Sequence, residues 1–332
     1  MIPHPDKSKL LVCLAKNGRE RAIRSVRTWG KRRERILADM QLVMGPLPDA
    51  SRKVPLDMAV LEEAELAKVI RKKITYAAEK DDRVPAYLLV PKDLKGKAPA
   101  VLCLHQTTGV GKGEPAGLGG DPNLHYALEM AERGYVTLAP DYPNFGDYKL
   151  DAYARGYASA TMKGIWNHMR AVDLLQSLPQ VDAARVGCIG HSLGGHNTLF
   201  LAAFDERIKV AVTSCGFNSF RKYYGGDLGG WSGAGYMPRI ASVYGKDARR
   251  MPFDFTEVLA AIAPRAVFVS APTKDDNFEL SGVEDCLRAA LPVYGLLGAK
   301  DGLVAVHPEC GHGFPPEARR AAYAVVDKAL GR

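Results

Sequence analysis

A serine between glycines is the residue best placed to do chemistry in this sequence. Gly-His-Ser-Leu-Gly at residues 190–194 directly follows an apolar run at residues 186–189. An apolar strand, this turn and a following helix are the parts of a nucleophile elbow, which presents the serine at its tip. A Cβ at residue 190 or 194 would collide with the adjoining strand or helix. We therefore predict that Ser192 is a nucleophile; the alternative is a structural serine in a tight turn.

A serine hydroxyl needs a base, and three histidines follow Ser192: His196, His307 and His312. In the strand–elbow–helix architecture the chain order is Ser, acid, His, with the histidine in a loop after the last strand. His312 lies in such a loop, between glycines and before the last predicted helix. His307 falls within the strand region and His196 within the helix after the elbow. The order favours His312 as the base.

The acid that orients this histidine is expected after the preceding strand, at residues 266–270. Two adjacent carboxylates, Asp275 and Asp276, follow that strand. We predict that Asp275, the first reached, is the acid, and we keep Asp276 as the alternative.

Two backbone amides are candidates for stabilising a developing oxyanion. The first is the Leu193 N–H, at the start of the helix that follows the serine. The second is expected in the loop after the strand that ends at His105, from Gln106 or Thr107. His105 itself precedes the serine at a strand end, so we predict that it makes a positioning hydrogen bond.

The elements that must hold these residues alternate between strand and helix from residue 74 onward. A predicted hairpin at residues 74–91 is followed by strands at residues 99–105, 135–139, 186–189, 209–214, 266–270 and 303–307, with helices between them. This alternation predicts an α/β fold with a mostly parallel, doubly wound sheet and helices on both faces. The catalytic domain is then residues 74–332.

An aromatic-rich insertion at residues 217–263 interrupts the later strands. Trp231 and Tyr236 belong to it, and both are predicted to contact substrate because insertions at the carboxyl ends of parallel strands overhang the site. The alternative is an aromatic core beneath a long loop.

Residues 1–73 look different and predict an N-terminal helical extension. Helices are expected at residues 20–29 and 31–44, divided by Gly30, with a further amphipathic stretch at residues 56–69. The formal charge of the whole chain is +8, and residues 1–75 hold 17 Lys and Arg against 9 Asp and Glu. The extension is expected to pack on the flank of the main domain; a partner-binding or oligomerising arm is the alternative.

Composition and motifs exclude several classes of function. The chain has 332 residues, 47% of them hydrophobic, as in a globular protein, and no apolar run reaches the length of a membrane span. The glycine-rich loop at residues 109–120 fails both the phosphate-loop and the dinucleotide patterns. Six cysteines lack metal-ligand spacing. We expect no cofactor, no metal, no nucleic-acid or membrane partner, and a cytoplasmic location.

Four stretches together resemble one branch of the α/β-hydrolase superfamily. They are His-Gln-Thr at residues 105–107, Ala-Pro-Asp-Tyr-Pro at 139–143, Gly-His-Ser-Leu-Gly-Gly at 190–195 and the stretch at 270–278. The likeness covers about three quarters of the chain and is to dienelactone hydrolases, acetyl xylan esterases and prolyl oligopeptidase-like proteins, most closely their esterase-type members. It implies a triad of Ser192, Asp275 and His312. Dienelactone hydrolases proper carry a cysteine where this chain has Ser192.

These residues predict a serine carboxylesterase that works through an acyl-enzyme. The expected partner is a small-molecule or carbohydrate ester, such as an acetylated sugar. A serine peptidase or amidase of the oligopeptidase type uses the same triad and is the alternative. A binding scaffold with an idle site is a third hypothesis.

Overall fold

The computed structural model describes residues 2–332 and places twelve strands and eight helices in that range. The strands are β1 (Ile2–Pro3), β2 (Val12–Leu14), β3 (Glu20–Ala22), β4 (Ala59–Glu65), β5 (Val69–Glu79), β6 (Asp82–Pro91), β7 (Ala98–Leu104), β8 (Val136–Pro140), β9 (Val181–His191), β10 (Ile208–Ser214), β11 (Ala266–Ser270) and β12 (Leu303–Val306). The helices are α1 (Val26–Met44), α2 (Tyr126–Glu132), α3 (Ala160–Ser177), α4 (Leu193–Phe204), α5 (Arg239–Ser242), α6 (Phe255–Ile262), α7 (Leu280–Leu296) and α8 (Pro316–Leu330).

Nine of the strands form one sheet, in the order β12-β11-β10-β9-β7-β8-β6-β5-β4. Every pair from β12 to β8 is parallel, and the three pairs from β8 to β4 are antiparallel. The predicted mostly parallel sheet and its opening hairpin, β5–β6, are confirmed. The elbow strand β9 is the fourth of the nine strands and lies between its parallel neighbours β10 and β7, so their carboxyl ends flank the turn that follows it.

Helices cover both faces of the sheet, as predicted. The larger apolar core contains buried residues from α1, α3, α4, α6 and α7. The second core, on the opposite face, contains buried residues from α2 and α8. The parallel strands are buried on both faces, which explains why they appear in the sequence as continuous apolar runs.

The helical interpretation of residues 56–69 is wrong. Residues 59–65 form the edge strand β4, and the expected domain boundary at residue 74 falls inside β5. The Ala, Leu and Glu residues of β4 favour a helix, but pairing with β5 overrides that propensity. Lys72 Nζ and Glu63 Oε2 lie 2.9 Å apart across the two strands, and Lys73 Nζ and Glu62 Oε1 lie 3.5 Å apart, so opposite charges face each other and favour this register.

The first part of the extension holds one helix rather than two. Residues 20–22 are strand β3 of a separate three-stranded sheet, and α1 runs from residue 26 straight through Gly30. Ser25 sets the start, because its Oγ accepts a hydrogen bond from the Thr28 N–H at 3.2 Å. A glycine inside a helix costs only about 1 kcal/mol relative to alanine, which tertiary packing easily exceeds.

The extension does pack on the flank of the main domain. The Arg32 guanidinium of α1 forms a buried ion pair with Glu257 of α6, and Lys7 Nζ donates to the Pro252 carbonyl at 2.6 Å. None of the helices within residues 2–332 combines the length and the apolar character needed to cross a bilayer.

Candidate active site

Ser192 stands at a sharp turn between β9 and α4. Its backbone has φ 52° and ψ −116°, a conformation that side-chain-bearing residues rarely adopt, and its side chain does not cap the helix. The Ser192 N–H donates to the Ser214 carbonyl at the end of β10, at 2.8 Å. A Cβ on Gly190 would overlap the Gly194 carbonyl, and a Cβ on Gly194 would overlap the Leu104 carbonyl. Both glycines are therefore required by neighbouring backbone, as the motif predicts.

His312 and Asp275 form a hydrogen-bonded pair beside this turn. Nδ1 of His312 lies 3.0 Å from Oδ1 and 3.1 Å from Oδ2 of Asp275. The histidine lies in the loop between β12 and α8 and the aspartate in the loop after β11, where the chain order predicts them. The two residues come from loops 37 positions apart in sequence, and the fold brings them into contact.

The surroundings of Asp275 favour its ionised form. Its side chain is only 1% exposed, and Oδ1 also accepts from the backbone N–H groups of Asn277 and Phe278 at 3.0 and 3.1 Å. Burial opposes ionisation, but the hydrogen bond and charge of His312, together with these amides, hold the pKa of Asp275 below its usual range. A carboxylate only accepts hydrogen bonds, so Nδ1 of His312 carries the proton and Nε2 is left as a base. Asp276 is exposed and takes no part in the pair.

The histidine loop lies against the elbow. The ring of His191, the residue before Ser192, contacts the His312 ring edge-on, with centroids 4.9 Å apart. His191 is held in turn by a 3.0 Å hydrogen bond between its Nδ1 and Ser214 Oγ. Burial lowers the pKa of His191 to about 3, with the neighbouring His312 adding to the effect, so His191 is a neutral spacer between the serine turn and the base.

The other two histidines after the serine take structural positions. His307 Nδ1 donates to the Ala271 carbonyl at 3.0 Å, tying β12 to the end of β11. His196 is buried in α4, and burial lowers its pKa to about 3.

The loop after β7 is held by His105. Its Nε2 accepts from the Tyr142 N–H at 3.0 Å, so its Nδ1 is the protonated nitrogen and donates to the Gln106 carbonyl at 2.6 Å. Burial keeps the pKa of His105 below its usual value, which preserves this neutral form. The positioning role predicted for His105 is confirmed.

The N–H groups of Gln106 and Thr107 are the two predicted alternatives for the second oxyanion donor. The hydrogen bond from His105 Nδ1 to the Gln106 carbonyl orients the peptide group that joins these two residues. In a trans peptide the carbonyl and the following N–H point in opposite directions, so the Thr107 N–H is directed away from His105. The Gln106 side chain is tied separately, by a 3.0 Å bond from Nε2 to Glu114 Oε1 in the glycine-rich loop. Leu193 is the first residue of α4, where the backbone N–H has no partner within the helix.

The aromatic insertion places its two predicted substrate residues differently. Tyr236 is half-buried, packs near Leu193, and its hydroxyl lies 3.1 Å from Thr107 Oγ1. It thus bridges the insertion and the loop after β7.

Trp231, which is predicted to contact substrate, is buried rather than exposed at the site. Its side chain is only 2% exposed. Ring centroids within 6 Å of its own belong to His196, Phe220, Tyr223, Phe255 and Phe278. Apart from His196, these aromatic residues are part of the larger apolar core, together with Phe200 of α4, so this part of the insertion packs as core beneath the loop, as the alternative held.

Sequence reasoning missed Cys215, which follows β10. One ligand atom each from Cys215, Asp275 and His312 all lie within 4.8 Å of one another, and the thiol lies 3.4 Å from the Gly313 carbonyl. Burial, and then the Asp275 charge, raises the pKa of this thiol well above its usual value, so it remains an S–H donor. Its only sequence signal is its place one residue past a parallel strand.

Comparisons with known proteins agree with this architecture. A family model described as "Glucuronyl esterase, fungi" matches residues 148–298, from before α3 to the loop after α7. YtaP of Bacillus subtilis, which is named a hydrolase, is 28% identical over 302 residues that cover 87% of this chain and 96% of that protein. The 4-O-methyl-glucuronoyl methylesterase of Hypocrea jecorina is 25% identical over 203 residues, covering 54% of this chain and 43% of that enzyme.

Solved structures share the whole fold. A glucuronoyl esterase from Solibacter usitatus superposes with a TM-score of 0.77 at 20% identity, covering 99% of both chains. An acetyl xylan esterase from Paenibacillus sp. R4 superposes with a TM-score of 0.63 at 18% identity, covering 89% of this chain and 99% of that one.

Proposed function

We propose that this chain, an α/β-hydrolase of the esterase type, hydrolyses carboxylic esters of carbohydrates, with uronic-acid esters as its preferred class. The observation that carries the proposal is the buried hydrogen-bonded pair of His312 and Asp275 beside the Ser192 elbow. The substrate class is supported by the matched segment, residues 148–298, which contains the elbow, the aromatic insertion and the acid loop.

The proposed reaction has two halves. Ser192 Oγ attacks the ester carbonyl carbon while Nε2 of His312 takes its proton, and the carbonyl electron pair moves onto oxygen. The Leu193 N–H and an amide of the loop after β7 stabilise that oxygen. The alcohol then leaves with the proton from His312. Water, deprotonated by His312, releases the sugar acid and restores the serine.

Asp275 has a fixed role in both halves. It keeps the proton of the neutral imidazole on Nδ1, and it stabilises the imidazolium that forms when His312 accepts the serine proton.

Hydrolysis of three esters tests the proposal: benzyl glucuronate, an acetylated xyloside and 4-nitrophenyl acetate. We expect the highest kcat/KM for benzyl glucuronate. Ser192→Ala should lower kcat by about 10³-fold or more. Ser242→Ala, which removes an exposed hydroxyl in α5, is the matched control and should leave kcat unchanged.

Two results would contradict the proposal. One is a protein that hydrolyses none of the esters, and the other is full activity in Ser192→Ala. A matched pair of ester and amide with the same acyl group separates esterase from peptidase chemistry. Faster cleavage of the amide would favour the oligopeptidase-type alternative.

A further inference from the structure

A groove near the amino terminus is lined by four cations and by no carboxylate. It lies between the three-stranded sheet and the first turns of α1. Its charged lining residues are Lys16, Arg21, Arg27 and Lys31, and the remaining lining residues are uncharged. No part of the proposed catalytic site contributes to it. A concave surface with one sign of charge concentrates its field and attracts the opposite charge.

These four cations are free to meet a ligand. All four side chains are exposed, and none forms an ion pair within residues 2–332. The contrast with neighbouring cations is clear, because Lys7, Lys9, Arg32, Arg33 and Arg35 each pair with a carboxylate. Arg19 and Arg24 are also exposed and form no ion pair within residues 2–332 but do not line the groove, so the unpaired positive charge of this region lies in the groove and directly beside it.

The helix adds to the positive potential. The groove includes Ser25, which caps the 19-residue helix α1, and Thr28 in its first turn, and that turn holds no acidic residue. The amino-terminal end of a helix carries partial positive charge. Arg27 and Lys31 are four residues apart and so lie on the same side of the helix. Their mutual repulsion is relieved when an anion binds.

The uncharged side chains that line the groove indicate which class of polyanion it can bind. The Asn17 amide nitrogen can donate to a sugar hydroxyl, and the hydroxyls of Ser25 and Thr28, which bond to each other at 2.8 Å, keep one hydroxyl hydrogen between them for a ligand. No aromatic side chain lines the groove. Single-stranded nucleic acids are held largely by base stacking on aromatic rings. We propose that this groove binds a polysaccharide segment that carries uronic-acid carboxylates. The inference rests on the proposed function, because it assigns a second contact with the same class of substrate.

A second contact raises the local concentration of the polymer near the esterase site. Removing it should therefore raise KM for a polymeric ester and leave a small ester unaffected.

Binding is measured with Ser192→Ala protein, so that no ester is cleaved, on polygalacturonate and on an uncharged β-glucan. The groove variant combines Arg21→Gln, Arg27→Gln and Lys31→Gln. The control variant removes the same charge elsewhere, with Lys300→Gln, Arg320→Gln and Lys328→Gln, all exposed and outside the groove. We expect polygalacturonate binding that weakens steeply with salt and falls by about tenfold or more in the groove variant alone.

The outcomes separate this inference from the proposed function. Equal polygalacturonate binding by the groove variant and the unsubstituted protein overturns the inference. Tighter groove-dependent binding of DNA than of polygalacturonate at the same salt also overturns it. In proteins that retain Ser192, both variants should hydrolyse benzyl glucuronate normally. Groove-dependent binding without any ester hydrolysis would support the groove and refute the esterase proposal.

Discussion

Replacing Asp275 by asparagine tests the proposed role of this carboxylate in orienting His312. The new amide would keep an oxygen for the backbone N–H groups of Asn277 and Phe278, so the loop should retain its shape. The amide nitrogen would take the place of Oδ2, which now lies 3.1 Å from His312 Nδ1. The oxygen that remains, 3.0 Å from Nδ1, is neutral and shared with two backbone N–H groups, whereas the new amide donor opposes the Nδ1–H and favours the tautomer with its proton on Nε2. That form cannot accept the serine proton.

The size of the effect follows from the geometry. The carboxylate and the imidazolium formed during attack lie 3.0 Å apart. At an effective dielectric constant of about 20, two unit charges at that separation attract by about 5 kcal/mol. Asparagine removes this attraction from the transition state, which corresponds to a loss of about 10⁴-fold in kcat.

The neighbouring residue supplies the control. Asp276→Asn makes the same chemical change at an exposed position that does not touch His312, and it should leave kcat within about twofold. The assay is kcat and KM on benzyl glucuronate, with the midpoint of thermal unfolding measured for both variants. A large loss in Asp276→Asn with little loss in Asp275→Asn would refute the assignment of the acid. Unfolding of Asp275→Asn would show that the carboxylate is needed for the loop itself.

Two further pairs of substitutions test the glycines of the elbow and of α1, and the two insertion residues Trp231 and Tyr236. Gly194→Ala should destabilise the protein by about 3 kcal/mol in chemical denaturation and abolish ester hydrolysis, because the new Cβ would meet the Leu104 carbonyl. Gly30→Ala should stabilise α1 by about 1 kcal/mol, because its Cβ would point into open space. Normal activity in Gly194→Ala would contradict the elbow. Trp231→Ala should cost about 3–5 kcal/mol of stability, whereas Tyr236→Phe should fold normally and change the ratio of kcat/KM between benzyl glucuronate and an acetylated xyloside. Unaltered selectivity in Tyr236→Phe would remove that residue from the site.

The central part of the molecule was predictable because its rules are local or topological. The elbow needs only a strand, two glycines and a helix start, and all three can be recognised over residues 186–195. The parallel sheet then brings the loops after β11 and β12 to the same edge, so chain order alone selects His312. The sequence does not separate Asp275 from Asp276, because adjacent residues after the same strand differ only in the direction of their side chains.

The edge strand β4, in contrast, could not be predicted from local sequence rules. Residues 59–65 are mostly exposed, so no apolar alternation marks them as a strand, and their composition favours a helix. These residues become a strand by backbone pairing with β5, with opposite charges facing across the pair, and such contacts appear only after the strands are aligned. Periodicity fails at this edge because burial does not dictate the pattern.

The aromatic insertion was predictable in its composition but not in its packing. Its ring-rich composition is visible in the sequence, yet composition cannot say which rings pack on one another and which face the cleft. The fold buries Trp231 among other aromatic residues, and that packing fixes the backbone that carries Tyr236. Because the Met237 N–H donates to the Trp231 carbonyl at 3.1 Å, the buried indole and the Tyr236 hydroxyl belong to one rigid turn. We therefore predict that any selectivity set by Tyr236 depends on the packing of Trp231, which would link the stability of the insertion to the specificity of the proposed site.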